Sequence, residues 1–148
     1  MKIITNRILA SALLVVMTAA CTPAPNSASG TTVSRDGTAT VTGAALYRER
    51  IMPPPGASIQ FTLEDVSRAD APSVTLASQS YKLEGKGQPY AFHLTTPRNT
   101  LDPRMRYNLR VAINDPSGKL LWISDTANTV NPEAVDQELP QIILVKVN

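Results

Sequence analysis

Tyr107-Asn108-Leu109-Arg110-Val111-Ala112-Ile113-Asn114 runs into Asp115-Pro116-Ser117-Gly118 and then, past Lys119, into Leu120-Leu121-Trp122-Ile123. Tyr107, Leu109, Val111 and Ile113 alternate with Asn108, Arg110 and Ala112, the period-two pattern of a strand with one buried face. The tetrad that follows is turn chemistry, so the segment reads as strand, tight turn, strand. Upstream the signature recurs. Ile59, Phe61 and Leu63 alternate with Gln60, Thr62 and Glu64, and Tyr90, Phe92 and Leu94 repeat the spacing. Val74, Leu76 and Ser78 run towards Tyr81, while Thr38 to Tyr47 alternates through Ala39, Val41, Ala45 and Tyr47 with Gly43 interrupting. Ile142 to Val147 is the last apolar run.

Between these runs lie breakers. Pro53-Pro54-Pro55-Gly56 joins three fixed φ angles to a permissive glycine, and Gly85-Lys86-Gly87-Gln88-Pro89 turns the chain again. About seven short strands with a turn every 8–12 residues or so predict an all-β domain, a single Greek-key β-sandwich of immunoglobulin or transthyretin type. One short helix is expected at Pro132-Glu133-Ala134-Val135-Asp136, with Asn131 as its N-cap and Pro132 at its first position.

Composition fits one such domain. The chain has 148 residues, 43% of them hydrophobic, with 12 prolines and 7 glycines, too many breakers for a helical bundle. Its single cysteine excludes an intrachain disulfide framework and a cysteine-based metal cluster, and its single histidine disfavours a histidine-rich metal site. The formal charge of +2 includes Lys2 and Arg7, whose removal leaves twelve basic against twelve acidic side chains. A neutral domain lacks the electrostatic footprint of a nucleic-acid binder.

Lys2 and Arg7 precede the apolar run Ile8 to Met17, then the small residues Thr18-Ala19-Ala20, then Cys21. A run of ten residues falls short of the roughly 20 that cross a bilayer as a helix, but it suits the middle of a secretory signal. The arrangement resembles the signal and lipobox of bacterial lipoproteins, with Thr18 where such boxes usually carry leucine. The resemblance implies a signal peptide over residues 1–20, cleavage before Cys21, and acyl chains (palmitate among them) attached at Cys21. Thr22, rather than aspartate, at the following position is similar to lipoproteins sent to the outer membrane of a Gram-negative host. Residues 21–37 continue as a tether rich in Pro, Ser, Thr and Gly, with a random-coil reach of about 20–25 Å. Residues 38–148, which hold all seven aromatic side chains, form the folded domain.

Few residues invite chemistry. Tyr107 opens a central strand four residues after Pro103, as in the tyrosine corner of Greek-key sandwiches, where the phenol bonds backbone a few residues upstream. Pro54, Pro55, Gly56, Pro103 and Tyr107 are therefore read as turn and corner residues. Read as a catalytic phenol, Tyr107 would have only Arg104 and Arg106 to activate it. His93, between Phe92 and Leu94, points outward, and no Gly-x-Ser-x-Gly elbow ties a nucleophile to it. Asp65, Asp115 and Asp125 form no calcium-binding series. No catalytic, cofactor-binding or metal-binding residue is expected.

Arg106 and Arg110 share a strand face with Asn108, either simply solvated or a patch for lipid phosphate or an acidic partner. Trp122, flanked by Leu121 and Ile123, is either the core tryptophan or an exposed aromatic that grips a partner.

Tyr47-Arg48-Glu49-Arg50-Ile51-Met52-Pro53-Pro54-Pro55-Gly56-Ala57 and Phe61-Thr62-Leu63-Glu64-Asp65-Val66-Ser67 together resemble the YbaY-type lipoproteins, grouped with the YscW-type lipoprotein chaperones, or pilotins, of type III secretion. Gln88-Pro89-Tyr90-Ala91-Phe92, Tyr107-Asn108-Leu109-Arg110-Val111 and Leu120 to Ala127 extend the resemblance over nearly all of 38–148. It implies a β-sandwich on an outer-membrane lipid anchor facing the periplasm, without a catalytic motif. Its pilotin branch implies a secretin subunit as partner. The expected function is a non-enzymatic envelope lipoprotein that binds or helps assemble an outer-membrane protein, by strand addition at an open sheet edge or by docking on an exposed apolar face. The alternative is a binder of envelope glycan or lipid.

Overall fold

The structure, a computed structural model, describes residues 36–148; the expected signal peptide, Cys21 and most of the tether lie outside the described residues. Nine strands follow one another: β1 (Thr38–Tyr47), β2 (Ser58–Asp65), β3 (Val74–Lys82), β4 (Tyr90–Pro97), β5 (Tyr107–Asn114), β6 (Leu120–Ser124), β7 (Thr129–Val130), β8 (Asp136–Glu138) and β9 (Ile142–Lys146). They hydrogen-bond into one sheet in the order β3-β2-β5-β6-β9-β1-β4, with β7 added to β5 and β8 to β1.

The alternation read from sequence sets the inner face. Ile59, Phe61 and Leu63 of β2 lie opposite Ile113, Val111 and Leu109 of β5, and all six are fully buried. Each such side chain contributes about 1.5–3 kcal/mol when taken from water. Tyr90, Phe92 and Leu94 line the inner face of β4 at the sheet's far end. Phe61 and Phe92 stack at 4.8 Å between ring centroids, although β2 and β4 stand near opposite ends of the strand order. The sheet has therefore curled until its own inner face meets itself.

The curl does not close. No backbone ladder joins β3 to β4 among the described residues. Side chains bridge the seam instead: the Tyr81 hydroxyl donates to the Ala91 carbonyl at 2.9 Å, and the His93 N–H donates to Gln79 Oε1 at 2.8 Å.

Two expectations are corrected. In place of a Greek-key sandwich of about seven strands, the described residues form one continuous curled sheet of nine. β9 pairs antiparallel with β6 on one side and parallel with β1 on the other, stitching together what would have been two layers. Parallel neighbours are distant in sequence, so alternation within each strand cannot reveal the pairing. The helix expected at 132–136 is likewise absent. The Asn131 side chain accepts the Glu133 N–H at 3.0 Å, but the turn runs straight into β8, which pairs with Thr40–Thr42. The same asparagine bond opens helices and closes turns. Pairing with β1 decided the outcome.

Three details fix the loops. Ala57 donates to the Pro54 carbonyl at 3.0 Å, with Pro55 next and Gly56 at φ +83°, the requirements of a type II turn. Met105 donates to the Asp102 carbonyl across Pro103 at 3.0 Å. Tyr107 is buried, and its hydroxyl accepts the Asp102 N–H at 2.8 Å, tying that turn to the start of β5. β1 changes partner from β8 to β9 around Gly43, where φ is +157° and an added Cβ would stand 3.0 Å from the Phe92 ring and 3.2 Å from the Leu139 carbonyl.

Tyr107→Phe should lower stability by about 1–2 kcal/mol in urea unfolding, because it removes the acceptor of a partly buried amide. Gly43→Ala should lower it by about 1–3 kcal/mol through overpacking against Phe92. Unchanged midpoints would show that the corner and the partner switch tolerate what their geometry forbids.

Candidate protein-docking surfaces

The sequence-predicted site residues separate in space. Trp122 is only 2% exposed. It stacks on Tyr47 at 4.8 Å and donates from Nε1 to Glu49 Oε2 at 3.3 Å. It is the core tryptophan and not a surface grip, because β6 is paired on both sides and Trp122 shares its register with the inward Ile113. Arg110 is exposed on the outer face of the sheet, above a depression of about 370 Å³ lined with Gln60, Thr62, Glu64, Thr75 and Asn114. No aromatic ring lines that depression, so it lacks the flat apolar platform on which a sugar would stack. Arg106 stands just before β5, exposed, with its N–H bound to Ser67 Oγ at 2.8 Å. His93 is exposed on β4.

Two apolar surfaces emerge at opposite ends of the strands. One surrounds the cleft between the β2–β3 loop and the start of β5. Val74 and Met105, 61% and 41% exposed, line it with Ala71, Pro72 and Arg68, enclosing about 470 Å³. Asp65 also lines it. The carboxylate accepts both the Ser67 N–H (2.8 Å) and the Ser67 hydroxyl (2.5 Å), and these bonds hold its pKa below the usual carboxylate value. Ser67 Oγ in turn receives the Arg106 N–H, so one carboxylate fastens the loop to β5.

The second surface is the loop from Arg48 to Gly56. Ile51 and Met52 are 52% and 65% exposed, ahead of Pro53-Pro54-Pro55. With Tyr47, Tyr90, Gln88 and Lys86 they enclose a pocket of about 260 Å³. The Tyr47 N–H donates to Gln88 Oε1 at 2.9 Å, tying the end of β1 to the opposite wall. Tyr47 and Tyr90 sit 6.3 Å apart at the floor. Burial, followed by the hydrogen bond with Tyr47, raises the Tyr90 pKa well above the usual phenol value, so Tyr90 stays neutral at physiological pH. Periodicity does not single out Ile51 and Met52. The available signal was two large apolar residues in a turn, outside any alternation.

The Asp65 lock has a pH dependence of defined sign. Its folded pKa lies below its unfolded value, so the stabilisation is complete above the unfolded value and vanishes as pH falls through the folded one. An NMR titration should place the Asp65 carboxyl midpoint below 3.8. Protection of the Ser67 and Arg106 amides, referenced to intrinsic exchange at each pH, should fall over the same range and should stay level there in Asp65→Asn. A midpoint at or above 3.8 would remove the lock.

Comparison with known proteins gives these surfaces a context. The family model described as "Type III secretion system lipoprotein chaperone (YscW)" matches residues 36–139. The lipoprotein YbaY of Escherichia coli (strain K12) is 38% identical over 90 residues, 61% of this chain and 47% of that protein, so the match spans about half the relative's length. Among solved structures, an alternative pilotin from the type II secretion system of Vibrio cholerae superposes with a TM-score of 0.63 at 33% identity, over 74% of this chain and 98% of that one. The corrected all-β domain, from β1 through β8, is what the family model covers, and the chain belongs to the YscW family of type III secretion system lipoprotein chaperones.

Proposed function

We propose that this chain is a non-enzymatic, lipid-anchored lipoprotein that acts as a pilotin-like chaperone for an outer-membrane protein, a secretin-type subunit being the partner that the relatives favour. The observation that carries the reading is the match to the Vibrio cholerae pilotin, which takes in 98% of that chain at 33% identity. The whole of that pilotin's fold is thus represented here. The anchor is Cys21, acylated after cleavage of residues 1–20, and residues 22–37 hold the domain off the outer-membrane surface on its periplasmic side. Binding then falls to the sheet's loops and apolar patches, where large side chains stand exposed beside fixed backbone.

The test is a crosslinking pull-down from native membranes, with wild type compared against Cys21→Ala. Wild type should fractionate with the outer membrane and recover an outer-membrane protein specifically. Cys21→Ala should lose most of that fractionation and, with it, most of the recovered client. A correctly anchored wild type that recovers nothing above background would sink the chaperone reading. Metabolic labelling with palmitate checks the anchor alone: label on wild type and none on Cys21→Ala is the expected result.

A further inference from the structure

Exposed apolar side chains are a liability in water unless something covers them, and Ile51 and Met52 are adjacent and exposed. The three prolines that follow fix φ on one side, and β1 ends at Tyr47 on the other. The loop is thus restrained at both flanks, which lowers the ordering cost of binding.

Size narrows the occupant. The pocket between these side chains and the Tyr47–Tyr90 floor measures about 260 Å³, below the 300–1,000 Å³ or so of small-molecule sites. A cavity of about 150 Å³ already takes a benzene ring. The depression is open to solvent, and its volume matches one bulky side chain.

Charge narrows it further. The charged residues of this rim are Arg48, Arg50 and Lys86 against Glu49 and Glu84. Glu49 is turned to the Trp122 indole, and Lys86 lies 5.8 Å from the centroid of the Tyr81 ring. Neither Arg48, Arg50 nor Lys86 has an ion-pair partner among the described residues, where the ion pair is Arg104 with Asp102. A partner with carboxylates beside an apolar anchor would satisfy both the cations and the exposed side chains.

Position agrees. Tyr47 lies at the far end of the ten-residue β1 from Thr38, where the N-terminal segment enters. At about 3.3 Å per residue, that is roughly 30 Å away.

We infer that the rim formed by Arg48, Arg50, Ile51, Met52 and Lys86 is the docking site for an acidic peptide segment of the partner, which inserts one large apolar side chain between Ile51, Met52 and the Tyr47–Tyr90 floor. The inference rests on the chaperone reading, because it supplies the contact through which that reading works.

Trp122 is the built-in reporter, stacked on Tyr47 and bonded to Glu49. The probe is a 12-residue peptide with Leu on one face and Glu on the other, compared with the same peptide carrying Lys for Glu. The Glu peptide should shift Trp122 emission and the amides of 47–52 and 86–90, and should bind at least tenfold more tightly than the Lys peptide. The pair Ile51→Ser and Met52→Ser should weaken it at least tenfold. The pair Arg50→Glu and Lys86→Glu should reverse the preference, a result that mere loss of fold cannot produce.

Equal binding of both peptides, shifts centred on Val74 and Met105, or no binding by either peptide would overturn the site. So would binding of phosphatidylglycerol vesicles through the same residues in place of peptide. The same loop variants in the membrane pull-down separate the two claims. A client recovered undiminished by Ile51→Ser and Met52→Ser refutes the site and leaves the chaperone reading standing. Peptide binding that meets these criteria without any client in the membrane refutes the chaperone reading alone.

Discussion

β9 is paired on both sides, Ile142–Leu144 with β1 and Leu144–Lys146 with β6, and the rest of the domain depends on that double pairing. Leu144 lies opposite Ser124 of β6 on one side and Tyr47 of β1 on the other. Without it, β3-β2-β5-β6 and β4-β1-β8 would be two separate sheets. With it, the inner face is continuous, and Phe61 and Phe92 meet across the curl at 4.8 Å. The same pairing brings the end of β1 beside β6, so that Tyr47 can stack on Trp122 and Glu49 can accept its indole N–H. The floor of the Arg48–Gly56 surface is therefore a product of strand order as well as of its own loop.

How much of this is legible in sequence follows from the range of each interaction. β2, β4 and β5 are readable because one buried face imposes period two on adjacent residues, whatever lies across the ladder. The Pro54-Pro55-Gly56 turn is readable because φ restrictions are local, and Tyr107 because its bond reaches only five residues back to Asp102. Strand order is not local. The parallel pairing of β1 with β8 and β9 joins residues about a hundred positions apart, and the short β7 and β8 hold their strand conformation through their neighbours. Propensity over two or three residues carries no such information.

Trp122 shows the same limit on a single side chain. Leu121, Trp122 and Ile123 are all apolar, so alternation cannot say which of them faces in. The ladder can: Trp122 lies opposite Ile113, whose side chain is fully buried. Ile51 and Met52 are the converse case. They belong to no periodic segment, so pattern reading passes over them, and only the folded surface reveals that they stand exposed among the described residues.

An open curled sheet has two edges, and strand addition at an edge is the simplest way for such a domain to hold a partner. Here β3 and β4 turn their edges towards one another, and side chains already occupy part of the seam. Tyr81 bonds the Ala91 carbonyl and Gln79 bonds the His93 N–H, so an incoming strand would first have to displace both. Breaking two bonds in order to form others leaves a small net gain. Docking on the Arg48–Gly56 loop breaks no hydrogen bond of Ile51 or Met52 among the described residues: these side chains are already exposed, the cations lack ion-pair partners among the described residues, and φ is already fixed at Pro53, Pro54 and Pro55. On the proposed chaperone reading, an open rim serves capture and release better than a seam that has to be unzipped and closed again.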